Sequence, residues 1–153
     1  MKAFNKVITL NPDNQDAWYC KGAILNRLHQ YEDALKSCNR SIALNPENGY
    51  YWARKGNILR NMGRNGKALK AYNKSLEINP GDEVTWLGVG TVLENLNQYD
   101  RAQDAYNKYL ELNPHDTNVW FNEGIVLTKM GKYNEGLKAY NKYLELNPKV
   151  EMV

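Results

Sequence analysis

The ten residues Glu111–Trp120, ELNPHDTNVW, bring together His115, Asp116, two asparagines and Trp120. An imidazole beside a carboxylate could do general acid–base chemistry or begin a metal site. Such chemistry usually needs one copy of its constellation, and this segment has several. LNPDNQDAW begins at Leu10, LNPENGYYW at Leu44, INPGDEVTW at Ile78 and LNPHDTNVW at Leu112. Asn-Pro and Trp persist, whereas His115 and Asp116 fall where other copies carry Asp, Glu, Gly or Asn. The segment reads as a joint between elements.

The other chemistry-bearing residues fare no better. His29 is far from His115 in sequence, and neither has a cysteine or second histidine at metal-ligand spacing. The sequence has no phosphate-binding loop, no GxGxxG after a strand and no nucleophile elbow. Glu32 and Asp33 suit the N-terminal turn of a helix, where carboxylates complement its dipole. The expectation is a protein that is not an enzyme and has no catalytic residue, no cofactor and no metal. Cys20 and Cys38 form neither a CxxC pair nor a disulfide framework, so reduced thiols are expected. Twenty basic and 17 acidic residues leave a net charge of +3, too weak and too mixed to call for a polyanion. Nucleic acid is therefore not indicated. MKAFNKVITL is too short and polar for a signal peptide, and no apolar run could span a bilayer, which points to a soluble cytoplasmic protein with no membrane partner.

The joints imply what they connect. Trp18, Trp52, Trp86 and Trp120 are 34 residues apart, and Pro12, Pro46, Pro80, Pro114 and Pro148 keep the same step. A fixed period of this size marks a repeat architecture. Within the first period Ala17, Trp18, Ile24, Leu25 and Leu28 share one helical face, and Tyr31, Ala34, Leu35, Cys38, Ile42 and Leu44 share another. Each unit is thus two helices of about 14 residues, about 20 Å long. Asn-Pro ends the second helix, because proline lacks the N–H and biases its predecessor away from helical geometry. Asp, Asn, Gly or Thr then offer N-caps. Between the paired helices His29, Gly63, Asn97 and Gly131 take the slot of a left-handed C-terminal residue. Gly22, Gly56, Gly90 and Gly124, four residues after each tryptophan, suggest close contact between paired helices. The tryptophans and most of the 11 tyrosines are expected in the core of the stack.

The arrangement Trp18, Gly22, Leu25, Tyr31, Ala34 and Pro46 resembles the tetratricopeptide repeat (TPR) family. It recurs as Trp52, Gly56, Leu59, Ala68, Tyr72 and Pro80, as Trp86, Gly90, Leu93, Tyr99, Ala102, Tyr106 and Pro114, and as Trp120, Gly124, Leu127, Tyr133, Tyr140 and Pro148. The resemblance covers nearly the whole chain. It implies an all-α fold, a right-handed superhelical solenoid of antiparallel helix pairs. Residues 1–153 would be a single domain: 1–14 the second helix of a truncated repeat, then repeats at 15–48, 49–82, 83–116 and 117–150. Cys38 departs from the pattern in place of a large aromatic, Asn65 in place of a tyrosine, and Tyr109 and Tyr143 in place of alanine.

Ala3, Phe4, Val7, Ile8 and Leu10 align with a second helix that lacks its first, and Val153 falls one residue short of the next tryptophan. Both boundaries fall inside repeats, which suggests a piece of a longer array. The alternative is a short protein whose uncapped ends self-associate or meet a partner.

Family members generally bind peptides or proteins in a concave groove lined by first helices. The resemblance assigns to that groove Tyr19, Ala23, Asn26, Arg27, Ala53, Asn57, Arg60 and Asn61 in the first half. Leu87, Thr91, Glu94, Asn95, Phe121, Ile125, Thr128 and Lys129 line the second. The arginines and asparagines suit an extended backbone or a carboxylate, and Leu87, Phe121 and Ile125 suit apolar side chains. The carboxylate clamp of chaperone-binding members fails here, since its positions hold Tyr19, Ala23, Arg54, Val84 and Gly88, or, shifted by one unit, keep only Asn57. The asparagine ladder of the O-linked N-acetylglucosamine transferase fails too, with Cys20, Arg54, Gly88 and Asn122. The functional expectation is a noncatalytic protein–protein interaction scaffold that binds a peptide segment or protein partner. An RNA-binding helical-repeat protein, with tyrosines stacking bases and Arg27, Arg54 and Arg60 on phosphates, is the alternative, as is a regulatory segment of a larger enzyme.

Overall fold

A computed structural model describes residues 2–147, with side chains from residue 6 onward; Pro148 and the residues after it lie outside it, as do the side chains of Ala3 and Phe4. Its helices are α1 (Lys2–Leu10), α2 (Gln15–Arg27), α3 (Tyr31–Leu44), α4 (Gly49–Asn61), α5 (Asn65–Ile78), α6 (Glu83–Asn95), α7 (Tyr99–Leu112), α8 (Thr117–Lys129) and α9 (Tyr133–Leu146). The helices α1–α5 form one compact unit ending at Asp82, and α6–α9 form a second beginning at Glu83.

Each boundary has a local cause. Asn45, Asn79 and Asn113 leave helical geometry at φ −146°, −133° and −132°, as the following proline requires. Their N–H groups still close the last turn onto the carbonyls of Ser41, Ser75 and Tyr109. The next helix is then capped by a side chain: Asn14 Oδ1 accepts the Ala17 N–H, Asn48 Oδ1 that of Tyr50 and Asp116 Oδ1 that of Asn118. Between paired helices, His29, Gly63, Asn97 and Gly131 adopt φ of 59°, 70°, 56° and 76°. Beyond each, the N–H of Gln30, Arg64, Gln98 or Lys132 bonds back to the carbonyl of Leu25, Leu59, Leu93 or Leu127, closing the C-terminal turn. His29 is a turn residue, its ring bonded to the Tyr31 hydroxyl at 2.6 Å.

The glycines do face their partner helices. A Cβ on Gly56, Gly90 or Gly124 would lie 2.4–2.5 Å from the ring of Tyr72, Tyr106 or Tyr140, so the tyrosine of the second helix rests on bare backbone of the first. The first repeat differs because Cys38 holds that tyrosine position. There Tyr51, from the next first helix, joins Cys38, Leu25, Ala34 and Ile42 in one buried cluster, and the Cys38 thiol donates to the Tyr51 carbonyl.

Three expectations need correction. The tryptophans are half-buried rather than core, because an indole N–H needs an acceptor. Those of Trp18, Trp52 and Trp120 donate at 2.8 Å to the carbonyls of Pro12, Pro46 and Pro114, which holds each ring beside the joint. Of the tyrosines, Tyr51, Tyr72, Tyr106 and Tyr109 are buried, whereas Tyr50 and Tyr133 are exposed. Leu28 is 55% exposed, since the helix has ended before the chain turns at His29 and the apolar face no longer continues.

Candidate functional site

In the first unit, α2 and α4 lie side by side with bonds spanning 35 residues, one more than the sequence period. The Tyr51 hydroxyl donates to Asp16 at 2.7 Å, the Arg54 guanidinium to the Tyr19 hydroxyl at 2.9 Å, and the Asn61 amide to Asn26 at 3.1 Å. Arg54 also lies over the Tyr19 ring, 5.0 Å from its centroid. Behind this row Tyr72 reaches past Gly56 to donate its hydroxyl to Asn57 Oδ1 at 2.8 Å, and burial pushes that phenol up to about 12. Asn57 Oδ1 is thus engaged by Tyr72. Arg54 and Arg60 each carry a buried Nε without a protein partner. Arg27 and Asn61 are exposed at the same end.

Of the residues expected in the groove, these bonds join Asn26 to Asn61 and hold Tyr19 against Arg54, while Asn57 is held by Tyr72. Ala53, expected in the groove, is 7% exposed. Arg54, which the periodic count did not select, is bonded to Tyr19. The signal was the extra residue of offset between adjacent first helices, which arises from how they pack and not from their individual sequences.

The second unit repeats the offset with other chemistry. Lys129 donates to Glu94 Oε1 at 3.1 Å, and the Tyr106 hydroxyl donates to Glu94 Oε2 at 3.0 Å. Leu87, Thr91 and Ile125 are half-buried and Asn95 is exposed. Thr91 and Thr128 turn their hydroxyls onto the carbonyls of Leu87 and Gly124. Phe121 stays 43% exposed, with its ring 5.7 Å from that of Tyr140 and 5.3 Å from that of Tyr143. These rings make an apolar platform on the same unit as the charged Glu94–Lys129 pair.

The opposite sides of the first helices carry grooves that sequence reasoning missed. That of the second repeat, about 330 Å³, is lined by Trp52, Leu59, Lys55, Arg64, Lys67 and Lys70 and by no carboxylate. That of the fourth, about 320 Å³, has Trp120 and Leu127 with Glu123, Glu135, Lys138 and Lys142. Among the described residues, no group of three or more histidine, cysteine, aspartate or glutamate side chains could hold a metal, and no helix is long and apolar enough to cross a membrane. Burial pushes the Cys38 thiol up to about 12, against the opposing charges of Lys55 and Arg54.

Paired helices with proline-ended joints, glycine–tyrosine contacts and one ordered face per unit define an all-α helical-repeat solenoid of the interaction-scaffold class. A family model described as tetratricopeptide repeat matches residues 16–48, 49–82 and 117–150, and a second of the same description matches 84–126. The chain belongs to the tetratricopeptide repeat family. No curated protein matches it in sequence. Its fold is similar to the crystal structure of MamA, with a TM-score of 0.90 at 20% identity over 99% of this chain and 89% of that one. It also resembles YrrB, described as a TPR protein with an unusual peptide-binding site, with a TM-score of 0.81 at 20% identity over 95% of this chain and 75% of that one. PilF of Pseudomonas aeruginosa matches with a TM-score of 0.86 at 16% identity, over 94% and 66% of the two chains.

Proposed function

We propose that this protein is a noncatalytic scaffold whose first-helix faces bind an extended peptide segment of a protein partner. The observation that carries the reading is the row joining Tyr19 to Arg54 and Asn26 to Asn61. It holds polar side chains in fixed positions and leaves the Nε groups of Arg54 and Arg60 buried without acceptors. A buried donor without a partner in the protein is a position that a ligand carbonyl or carboxylate satisfies. Fixed side chains also lose less freedom on binding. The face of the first unit takes a carboxylate or backbone carbonyls; the Phe121–Tyr140–Tyr143 platform of the second unit, considered by itself, takes apolar side chains. The peptide-binding site named for YrrB lends support at the level of a shared fold. Free Cys20 and Cys38 fit the reducing conditions of the cytoplasm.

The test is an affinity pull-down with the full chain and with a variant carrying Asn57→Ala, Arg60→Ala and Phe121→Ala, both checked for helical content. Partners held by the parent should be lost from the variant. Retention of every partner by a folded variant would reject these faces.

A further inference from the structure

The groove between α8 and α9 differs from its counterparts in one respect that sets its ligand. Successive residues turn about 100° around a helix, so Trp120, Glu123 and Leu127 lie on the side of α8 away from Phe121 and Ile125. In the first and second repeats the residue three after the tryptophan is a lysine, and its ammonium sits 5.3 Å from the tryptophan ring centroid: Lys21 over Trp18, and Lys55 over Trp52. In the fourth repeat that residue is Glu123. Its side chain is nearly fully buried at 7% exposure, and its Oε2 has no hydrogen-bond partner. A second carboxylate, Glu135, lines the same groove and adds its charge. Here the chain supplies the anion and the aromatic ring, and leaves the cation to another molecule.

We infer that this groove binds the guanidinium of an arginine side chain carried by a peptide partner, set between the Trp120 ring and the Glu123 carboxylate. A guanidinium is flat and weakly hydrated, stacks on an indole and presents a fork of N–H donors to a carboxylate. Leu127 and Ala139 line the groove beside these groups and suit the aliphatic stem of the side chain. The lining cations do not already meet this need. Lys142 is bonded to Glu145 at 3.0 Å, and Lys138 is exposed and makes no ion pair among the described residues. Lys132 donates to Gln103 at the groove edge. A peptide suits the groove better than free arginine, whose own carboxylate would face Glu135. This site is separate from the first-helix faces proposed above and does not depend on them.

The test follows the indole N–H resonances by NMR, with that of Trp120 assigned from a Trp120→Phe variant. N-acetyl-arginine amide should shift the Trp120 resonance saturably and leave those of Trp18 and Trp52 in place. Neutral N-acetyl-citrulline amide should not, and Glu123→Gln should weaken arginine binding by about ten-fold or more. Asn57→Ala with Arg60→Ala should leave the binding unchanged, which separates this site from the peptide face. No arginine-dependent shift, an equal response to citrulline, or undiminished binding by Glu123→Gln would overturn the site. Tighter binding of N-acetyl-lysine amide would overturn the guanidinium, and tighter binding of free L-arginine would overturn the peptide source. A Trp120 resonance that moves with protein concentration in the absence of probe would make a second copy of this chain the occupant and overturn the partner peptide.

Discussion

The hydroxyl of Tyr109 donates a 2.6 Å hydrogen bond to Oδ2 of Asp116, whose Oδ1 accepts the Asn118 N–H and caps α8. One carboxylate thus serves two elements: it satisfies a tyrosine that is 8% exposed and starts the next helix. Asp116 lies in the segment whose side chains looked most like a catalytic group, and its use is structural.

Asp116→Ala should therefore cost more than an ordinary cap. Losing the cap costs about 1 kcal/mol, and leaving the Tyr109 hydroxyl without its acceptor adds about 1–3 kcal/mol. Asp116→Asn keeps Oδ1 as acceptor for the cap, while its amide N–H can only donate to the Tyr109 oxygen, so it should lose less than Asp116→Ala. Urea unfolding followed by circular dichroism would show this; equal losses for the two variants would contradict the dual role.

Glycines at two places should respond with opposite signs. Alanine favours a helix over glycine by about 1 kcal/mol, so Gly66→Ala, where an added Cβ meets nothing within 4 Å, should stabilise by up to that amount. At Gly56 the Cβ would sit 2.4 Å from the Tyr72 ring, a contact that must push the buried tyrosine away. Gly56→Ala should destabilise by about 1–3 kcal/mol in the same urea experiment.

The cluster around Cys38 and Tyr51 predicts a coupled pair. Tyr51→Thr removes a buried ring and should cost about 3–5 kcal/mol, the range for deleting an aromatic side chain from a core. Cys38→Tyr in the same chain restores the pairing of residue types found one period later at positions 72 and 85, and should recover part of the loss. The double-mutant cycle should show a coupling of at least about 0.5 kcal/mol; additive losses would mean the two side chains do not share the same space.

Burial, with the neighbouring charge of Glu135, raises the pKa of Glu123 above its ordinary 4.5. Between the ordinary value and the raised one, the folded state holds more protons at this site than the unfolded state. Stability from this residue is therefore present at low pH and falls as pH rises through that window, remaining lower above it. Glu123→Gln should be more stable than the parent near neutral pH and should lose this part of the pH dependence. Urea midpoints measured from pH 4 to 8 check the sign, and a less stable variant at neutral pH would contradict it.

Sequence alone determined the local architecture. Asn-Pro pairs, capping Asn and Asp residues and the left-handed slots at positions 29, 63, 97 and 131 act through forces that reach a few residues along the chain, so their period could be read directly. The same period led to the expectation that Tyr19, Asn26, Asn57, Arg60 and Asn61 share one face, and the structure joins Asn26 to Asn61. What it could not supply was the offset between neighbouring first helices, which packing sets and which brings Arg54 onto the Tyr19 hydroxyl. Nor could it distinguish an aromatic ring in the core from one anchored at a joint. Trp18, Trp52 and Trp120 are drawn to proline carbonyls six residues back by their N–H groups, whereas Tyr51 and Tyr72 fill spaces left by Cys38 and Gly56. Glu123 shows the same limit most sharply. A carboxylate among polar residues reads as solvated, and only the packed groove around Trp120 and Leu127 removes it from water without giving Oε2 a partner.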